Sequence, residues 1–116
     1  MYDALLCVFG HKHQHFILDT YQAACWSCNP HTTKVVVCVD YNPPIADWLA
    51  ERIGPENVWN APFKTHWPII LPIIFEAINE FSKRFQFDHF IKCDYDTVMI
   101  SRGCDDLFLT QIKDVK

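Results

Sequence analysis

No stretch of this sequence is apolar for long enough to cross a bilayer. The most apolar run, residues 69–75, contains Pro72 and stops at Glu76, whereas a spanning helix needs about 20 apolar residues. The opening Met1-Tyr2-Asp3 lacks the positive charge that begins a secretory signal, so a cytoplasmic location is expected. There is no basic excess either. The net charge is −4 with His neutral, and no Lys/Arg stripe is present to meet a phosphate backbone, so nucleic-acid binding is not expected. Internal repeats, low-complexity tracts and linkers are all missing, which leaves a single domain over residues 1–116. The six cysteines do not follow the spacing of a secreted disulfide framework, and reduced thiols are the simpler expectation.

What is present is core-forming material. Half of the chain is hydrophobic and 15% is aromatic, which excludes disorder. Ala4-Leu5-Leu6-Cys7-Val8-Phe9 is continuously apolar and stops at Gly10, as a strand buried on both faces does. Ile17, Tyr21, Ala24, Cys25 and Cys28 then fall at helical spacing, and Asn29-Pro30 ends that helix. Val35-Val36-Val37-Cys38-Val39 is a second buried strand ending on Asp40. Asn42-Pro43-Pro44 supplies a cap followed by proline in the first turn, Ile45, Trp48, Leu49 and Ile53 form an inner stripe, and Gly54-Pro55 closes the helix. Residues 57–60 read as a short third strand and 63–68 as a loop. A longer helix from about Leu71 tolerates Pro72 in its first turn and buries Ile74, Ile78, Phe81 and Phe85. A fourth strand follows, residues 97–100 continue extended, and Asp105-Asp106 cap a last helix running through Ile112. Strands alternating with helices predict βαβ crossovers and a Rossmann-like three-layer α/β/α fold with a mostly parallel sheet, its first two strands central.

The fourth strand carries the chemistry. His89-Phe90-Ile91-Lys92-Cys93-Asp94-Tyr95-Asp96 delivers two carboxylates, two residues apart, at the carboxyl end of a strand. Ligands of open α/β sheets bind at that end, and side chains two apart on extended chain point the same way. Oxygen-only ligands suit Mg²⁺ or Mn²⁺, which phosphate oxygens commonly complete. Asp94 and Asp96 therefore read as a metal–diphosphate site. The competing reading makes them loop or cap residues, because Asp is common where strands stop.

These residues resemble a known family. The buried first strand, the second strand ending in Asp40, and Phe90-Ile91-Lys92-Cys93-Asp94-Tyr95-Asp96-Thr97-Val98-Met99-Ile100 look like the nucleotide-sugar-binding half of a GT-A-fold glycosyltransferase with its D-x-D motif; Asp105-Asp106-Leu107-Phe108 adds a weaker likeness. The resemblance implies a metal-dependent transfer, of hexosyltransferase type, from a nucleotide-diphosphate sugar, a UDP-sugar first among them, to an unknown acceptor. It implies Asp96 as the direct Mn²⁺ or Mg²⁺ ligand and Asp94 at the ribose or a metal-bound water. Asp40 would hold base or ribose, Gly10 and His11 would line the nucleotide pocket, and Lys64 would reach a phosphate. Read as residues alone, Lys64 is equally a solvated surface lysine and Asp40 a strand-end turn residue. Complete GT-A enzymes continue well past the D-x-D motif with acceptor-binding strands, while this chain ends twenty residues after Asp96. The expectation is thus a truncated, GT-A-like donor-binding domain, the N-terminal part of a longer enzyme.

Other constellations compete. A non-catalytic α/β domain that binds nucleotide or a partner needs the same elements and no turnover. Asp94-Tyr95-Asp96-Thr97-Val98 also resembles the nucleophile loop of haloacid-dehalogenase-type phosphatases, but that loop sits on an early strand with further acids downstream. His11, His13 and His15 would share a face if extended and suit Zn²⁺ or Cu²⁺, yet no Cys or acid closes the set and an exposed βα loop is simpler. Cys25-Trp26-Ser27-Cys28 has the spacing of a redox pair but falls at the end of its helix, where the dipole disfavours a thiolate. Trp67, beside Pro68 in a polar loop, is the one tryptophan read as a ligand contact.

Overall fold

A computed structural model describes residues 1–62, 70–96 and 102–114. The elements follow the expected alternation. Strands β1 (Tyr2–Gly10), β2 (Thr33–Val39), β3 (Val58–Asn60) and β4 (Phe87–Asp94) alternate with helices α1 (Gln14–Ser27), α2 (Pro43–Ile53) and α3 (Ile70–Arg84), and α4 (Cys104–Asp114) follows β4. The sheet is four-stranded and all parallel, in the order β3-β2-β1-β4. This is a Rossmann-like α/β fold. Among the described residues no helix is long and apolar enough to cross a membrane.

The order explains the layers. From β1 the chain steps twice in one direction, to β2 and then β3, and right-handed crossovers place α1 and α2 on one face. It then jumps back past β1 to β4, and the same handedness places α3 on the other face. Two cores result, because the side chains of the central strands alternate between faces. Leu6, Val8, Val35, Val37 and Val39 pack with Ile17, Ala24, Ala46 and Leu49 on the α1/α2 side. Leu5, Cys7, Phe9, Val36 and Cys38 pack with Ile73, Ala77 and Phe81 on the α3 side. Strands β1 and β2 are buried along nearly their whole length, whereas β4 is largely half-exposed, as an edge strand is.

Of the expected helix stripes, Ile17, Ala24, Cys28, Leu49 and Phe81 are buried, and the remaining buried positions sit one residue away from those expected. In α3 the fully buried residues are Ile73, Ala77 and Phe81, with Ile74 and Phe85 only packed against them. In α2 they are Ala46 and Leu49, flanked by Ile45, Trp48 and Ile53. In α1 they are Ile17, Thr20, Ala24 and Ser27, and Cys25 is exposed. In α2 and α3 a small residue, Ala46 or Ala77, turns to the sheet, and a stripe drawn through the bulkiest side chains misses it.

Helix ends are fixed by named groups. Asn42 caps α2, its side chain accepting from Ile45 N, with proline following at the first helical positions. Gly54 closes α2 at φ 94°, a left-handed conformation that favours glycine. Arg84, in the last turn of α3, donates to the carbonyls of Pro55, Glu56 and Val58 at 3.3, 3.1 and 2.9 Å. That guanidinium holds the Pro55–Asn57 3-10 turn and β3 against α3. Asp105 lies in the first turn of α4, as expected, but it is wholly buried. Its Oδ2 accepts from Asn29 N at 3.0 Å and from Thr33 Oγ1 at 2.6 Å, anchoring α4 to the α1–β2 turn.

Candidate functional site

The strand order has a switch point between β1 and β4, where successive connections leave in opposite directions. The carboxyl ends of those strands are where an open α/β sheet binds ligands. Phe9 is registered with Asp94 and Gly10 with Val39. Asp40 N donates to Gly10 O at 2.8 Å, and Tyr95 N to Phe9 O at 3.0 Å. The ends of β2, β1 and β4 are therefore stitched side by side, and Gly10, His11, Asp40, Asp94 and Asp96 all lie along one edge. Lys64 and Trp67 fall within residues 63–69, which, like the extended run expected over 97–100, lie outside the described residues.

Tyr95 organises this edge. Its carbonyl accepts from Thr20 Oγ1 in α1. Its ring stacks on His13 at 6.2 Å and meets His11 edge-on at 6.4 Å. A Cβ at Gly10 would stand 3.1 Å from Tyr95 Cβ and 2.8 Å from Ile17 Cδ1. Glycine is thus required there by close approach: Ile17 and Tyr95 close over the end of β1. His13, at φ 60°, precedes α1 in a left-handed conformation without a side-chain cap.

The two acids differ. Asp94 is the last residue of β4, and its Oδ1 is engaged by Lys92 Nζ. Alternation explains the pair, since residues two apart on a strand share a side. Lys92 also lies over the Phe9 ring, 5.5 Å from its centroid. The pair is exposed, Asp94 by 60% of its side chain, so it contributes at most about 1 kcal/mol. Asp96 lies beyond the strand, in the turn formed by residues 95 and 96. It is exposed and has no hydrogen bond or ion pair to another described residue. The expectation that both acids share a face by strand alternation does not carry, because the strand stops at Asp94; their relation is set by the turn around Tyr95.

Three participants were not singled out from the sequence. Asn42 Nδ2 donates to His11 O, and Asn42 N donates to Asn60 Oδ1, each at 2.8 Å. This amide chain ties the ends of β1, β2 and β3 together. The signal was available: a polar residue follows or ends each strand at this edge. In the sequence Lys92 stands inside the motif with nothing to mark it as a partner of Asp94.

No family model, curated protein or solved structure matches the chain. The site is therefore weighed on its own chemistry. Among the described residues no three His, Cys, Asp or Glu side chains are placed to hold a metal. His11 and His13 lie exposed in the β1–α1 connection and His15 exposed in the first turn of α1, where its ring meets Trp48 at 5.0 Å. Two carboxylates at one edge still fit a hard cation in donor chemistry, because Mg²⁺ commonly takes one or two carboxylates, several waters and substrate phosphates. A described cleft of about 140 Å³ lies elsewhere, at the amino-terminal edge, lined by Tyr2, Tyr21, Cys25, Cys28, Thr33 and Lys34 among others. It has no acid for a cation.

Proposed function

We propose that this chain binds a nucleotide-diphosphate sugar, a UDP-sugar first among them, as the donor-binding domain of a metal-dependent, cytoplasmic glycosyltransferase of hexosyltransferase type with a GT-A-like fold. The observation that carries this reading is the β3-β2-β1-β4 order, which brings Asp94-Tyr95-Asp96, Gly10-His11 and Asp40 to one edge at the switch point. Asp96, exposed and without a described partner, is the residue to hold Mn²⁺ or Mg²⁺. When bound, that cation supplies Lewis-acid neutralisation of the diphosphate leaving group. Asp94, tethered by Lys92, would take a ribose hydroxyl or a metal-bound water. Asp40, beside Gly10, would take the base or ribose. Gly10 itself is covered by Ile17 and Tyr95, so a diphosphate would approach beside it, past His11 and Tyr95.

A second reading is favoured by the Lys92–Asp94 ion pair: a non-catalytic domain that binds nucleotide without metal, the lysine supplying the positive charge. Calorimetric titration with UDP, with and without Mn²⁺, separates them. The glycosyltransferase reading expects Mn²⁺-dependent binding that weakens at least tenfold in Asp96→Ala. Equal affinity in that variant would defeat the metal assignment. Binding that ignores Mn²⁺ but is lost in Lys92→Ala supports the second reading, and no UDP binding under any condition sinks both.

A further inference from the structure

The amino-terminal edge of the fold holds a feature unrelated to nucleotide binding. The α1–β2 turn and the start of α4 run side by side and are cross-linked twice. Gly103 N donates to Ser27 O at 2.8 Å, and Asp105 Oδ2 accepts from Asn29 N at 3.0 Å. Residue 27 is thus tied to 103, and residue 29 to 105. Cys28 falls between the tied residues of one segment and Cys104 between those of the other, and the two sulfurs are near enough to interact electrostatically. Cys28 is 5% exposed but lines the cleft at this edge, and Cys104 is half-buried. All six cysteines are thiols in this structure. Burial and the nearby Asp105 carboxylate push the Cys28 thiol up, and the Cys104 sulfur adds to that push, as groups at close range do.

We propose that Cys28 and Cys104 are a redox-sensitive thiol pair whose disulfide locks α4 onto the α1–β2 turn. The oxidant class is a small disulfide such as glutathione disulfide. The Cys104 thiolate, the more accessible of the two, attacks one glutathione sulfur; the glutathione S–S bond breaks and one glutathione thiolate leaves. Cys28 then loses its proton and attacks the Cys104 sulfur, expelling the second glutathione thiolate. Two protein thiols are oxidised and one glutathione disulfide is reduced, the two thiol protons ending on the two released glutathiones. One backbone hydrogen bond and one from Asn29 N to the Asp105 carboxylate already hold the two segments side by side, which is the approach a disulfide needs. Cys25, three residues earlier, lines the same cleft as Cys28 and is the competing partner; it is held by a hydrogen bond from Tyr21, and among the described residues no bond to another element brackets it as the two ties bracket Cys28 and Cys104.

The test uses the folded full chain. It is incubated with glutathione disulfide, quenched with iodoacetamide, digested without reductant and mapped by mass spectrometry. A Cys28–Cys104 linkage as the main product, reversed by dithiothreitol and retained in Cys25→Ser, supports the proposal. Slower hydrogen exchange in residues 104–111 of the oxidised protein supports the locking role. A Cys25–Cys28 linkage as the main product, or mixed glutathione disulfides that never resolve, overturns it.

Discussion

Replacing Gly10 by alanine tests whether the end of β1 is as tightly closed as the geometry requires. The new Cβ would sit 2.8 Å from both Cδ1 and Cγ1 of Ile17 and 3.1 Å from Tyr95 Cβ. Ile17 is fully buried in the α1/α2 core, among Leu6, Val8 and Val39, so it has no empty space to retreat into. Tyr95 Cβ belongs to a residue whose amide and carbonyl are both hydrogen-bonded. Overpacking of this kind costs about 1–3 kcal/mol. At roughly 4 °C per kcal/mol for a chain of this size, a cost of about 2 kcal/mol lowers Tm by about 8 °C. Thermal and urea unfolding followed by circular dichroism would measure it.

The mechanism is separable from a general glycine effect. Ile17→Val removes Cδ1, one of the two atoms in the way, and costs about 0.5–1.5 kcal/mol by itself. In Gly10→Ala/Ile17→Val the deletion relieves the clash, so the double variant should be more stable than the sum of the singles by about 0.5 kcal/mol or more. The amide resonances of residues 94–96 should also move in Gly10→Ala, because Tyr95 carries the strain to the site. Strict additivity, or a Gly10→Ala protein within 0.5 kcal/mol of wild type by the same measure, would refute the close-approach argument.

Asp105→Ala removes a buried carboxylate that accepts two hydrogen bonds, and a loss of about 3–6 kcal/mol is expected at about 1.5–3 kcal/mol each; Asp105→Asn keeps an acceptor and should lose less than half of that, read from urea midpoints. Asn42→Ala removes the α2 cap and the tether on His11 O, and should cost about 1–2 kcal/mol in the same assay. Burial, then Asp105 and neighbouring thiols, push the Cys28 thiol from the ordinary 9.0 up to about 12, so the native state keeps a proton that the unfolded chain releases above pH 9. The stability this provides is intact below that pH and falls toward pH 12 by up to about 1.4 kcal/mol per pH unit. Cys28→Ser should flatten the decline between pH 9 and 10.5, and an unchanged slope would contradict the assignment.

The central part of the fold was legible because burial on both faces leaves a plain trace. Residues 4–9 and 35–39 are unbroken apolar runs, and only the two middle strands of a parallel sheet need to be. The α2 boundaries were legible because Asn42-Pro43-Pro44 and Gly54 each do one local job. The helix faces were less so, because Ala46 and Ala77 face the sheet by being small, and smallness leaves no hydrophobic peak. At the site, Asp94 and Asp96 stood out by type and spacing. Their surroundings did not, since the Tyr95–His13 stack, the Asn42–His11 bond and the contact of Ile17 with Gly10 join residues whose proximity is created only when β1, β2 and β4 align.

The Lys92–Asp94 pair bears on how the edge would recruit a cation. Breaking an exposed ion pair costs at most about 1 kcal/mol, so Lys92 does not bar Asp94 from a metal-bound water or a ribose hydroxyl. The scarcity of further ligands matters more. With Asp96 and Asp94 alone, a divalent cation keeps most of its waters and gains little from the protein, while a diphosphate alone meets two negative charges and one lysine. Each would bind weakly by itself. Each removes the other's difficulty, the cation by screening the acids and the diphosphate by completing the coordination. Linkage requires the gain to be reciprocal: the factor by which Mn²⁺ tightens UDP must equal the factor by which UDP tightens Mn²⁺. Titrations in both orders should return one coupling factor of tenfold or more in the wild type and a factor near one in Asp96→Ala; a wild-type factor near one would mean that the two ligands do not meet at this edge.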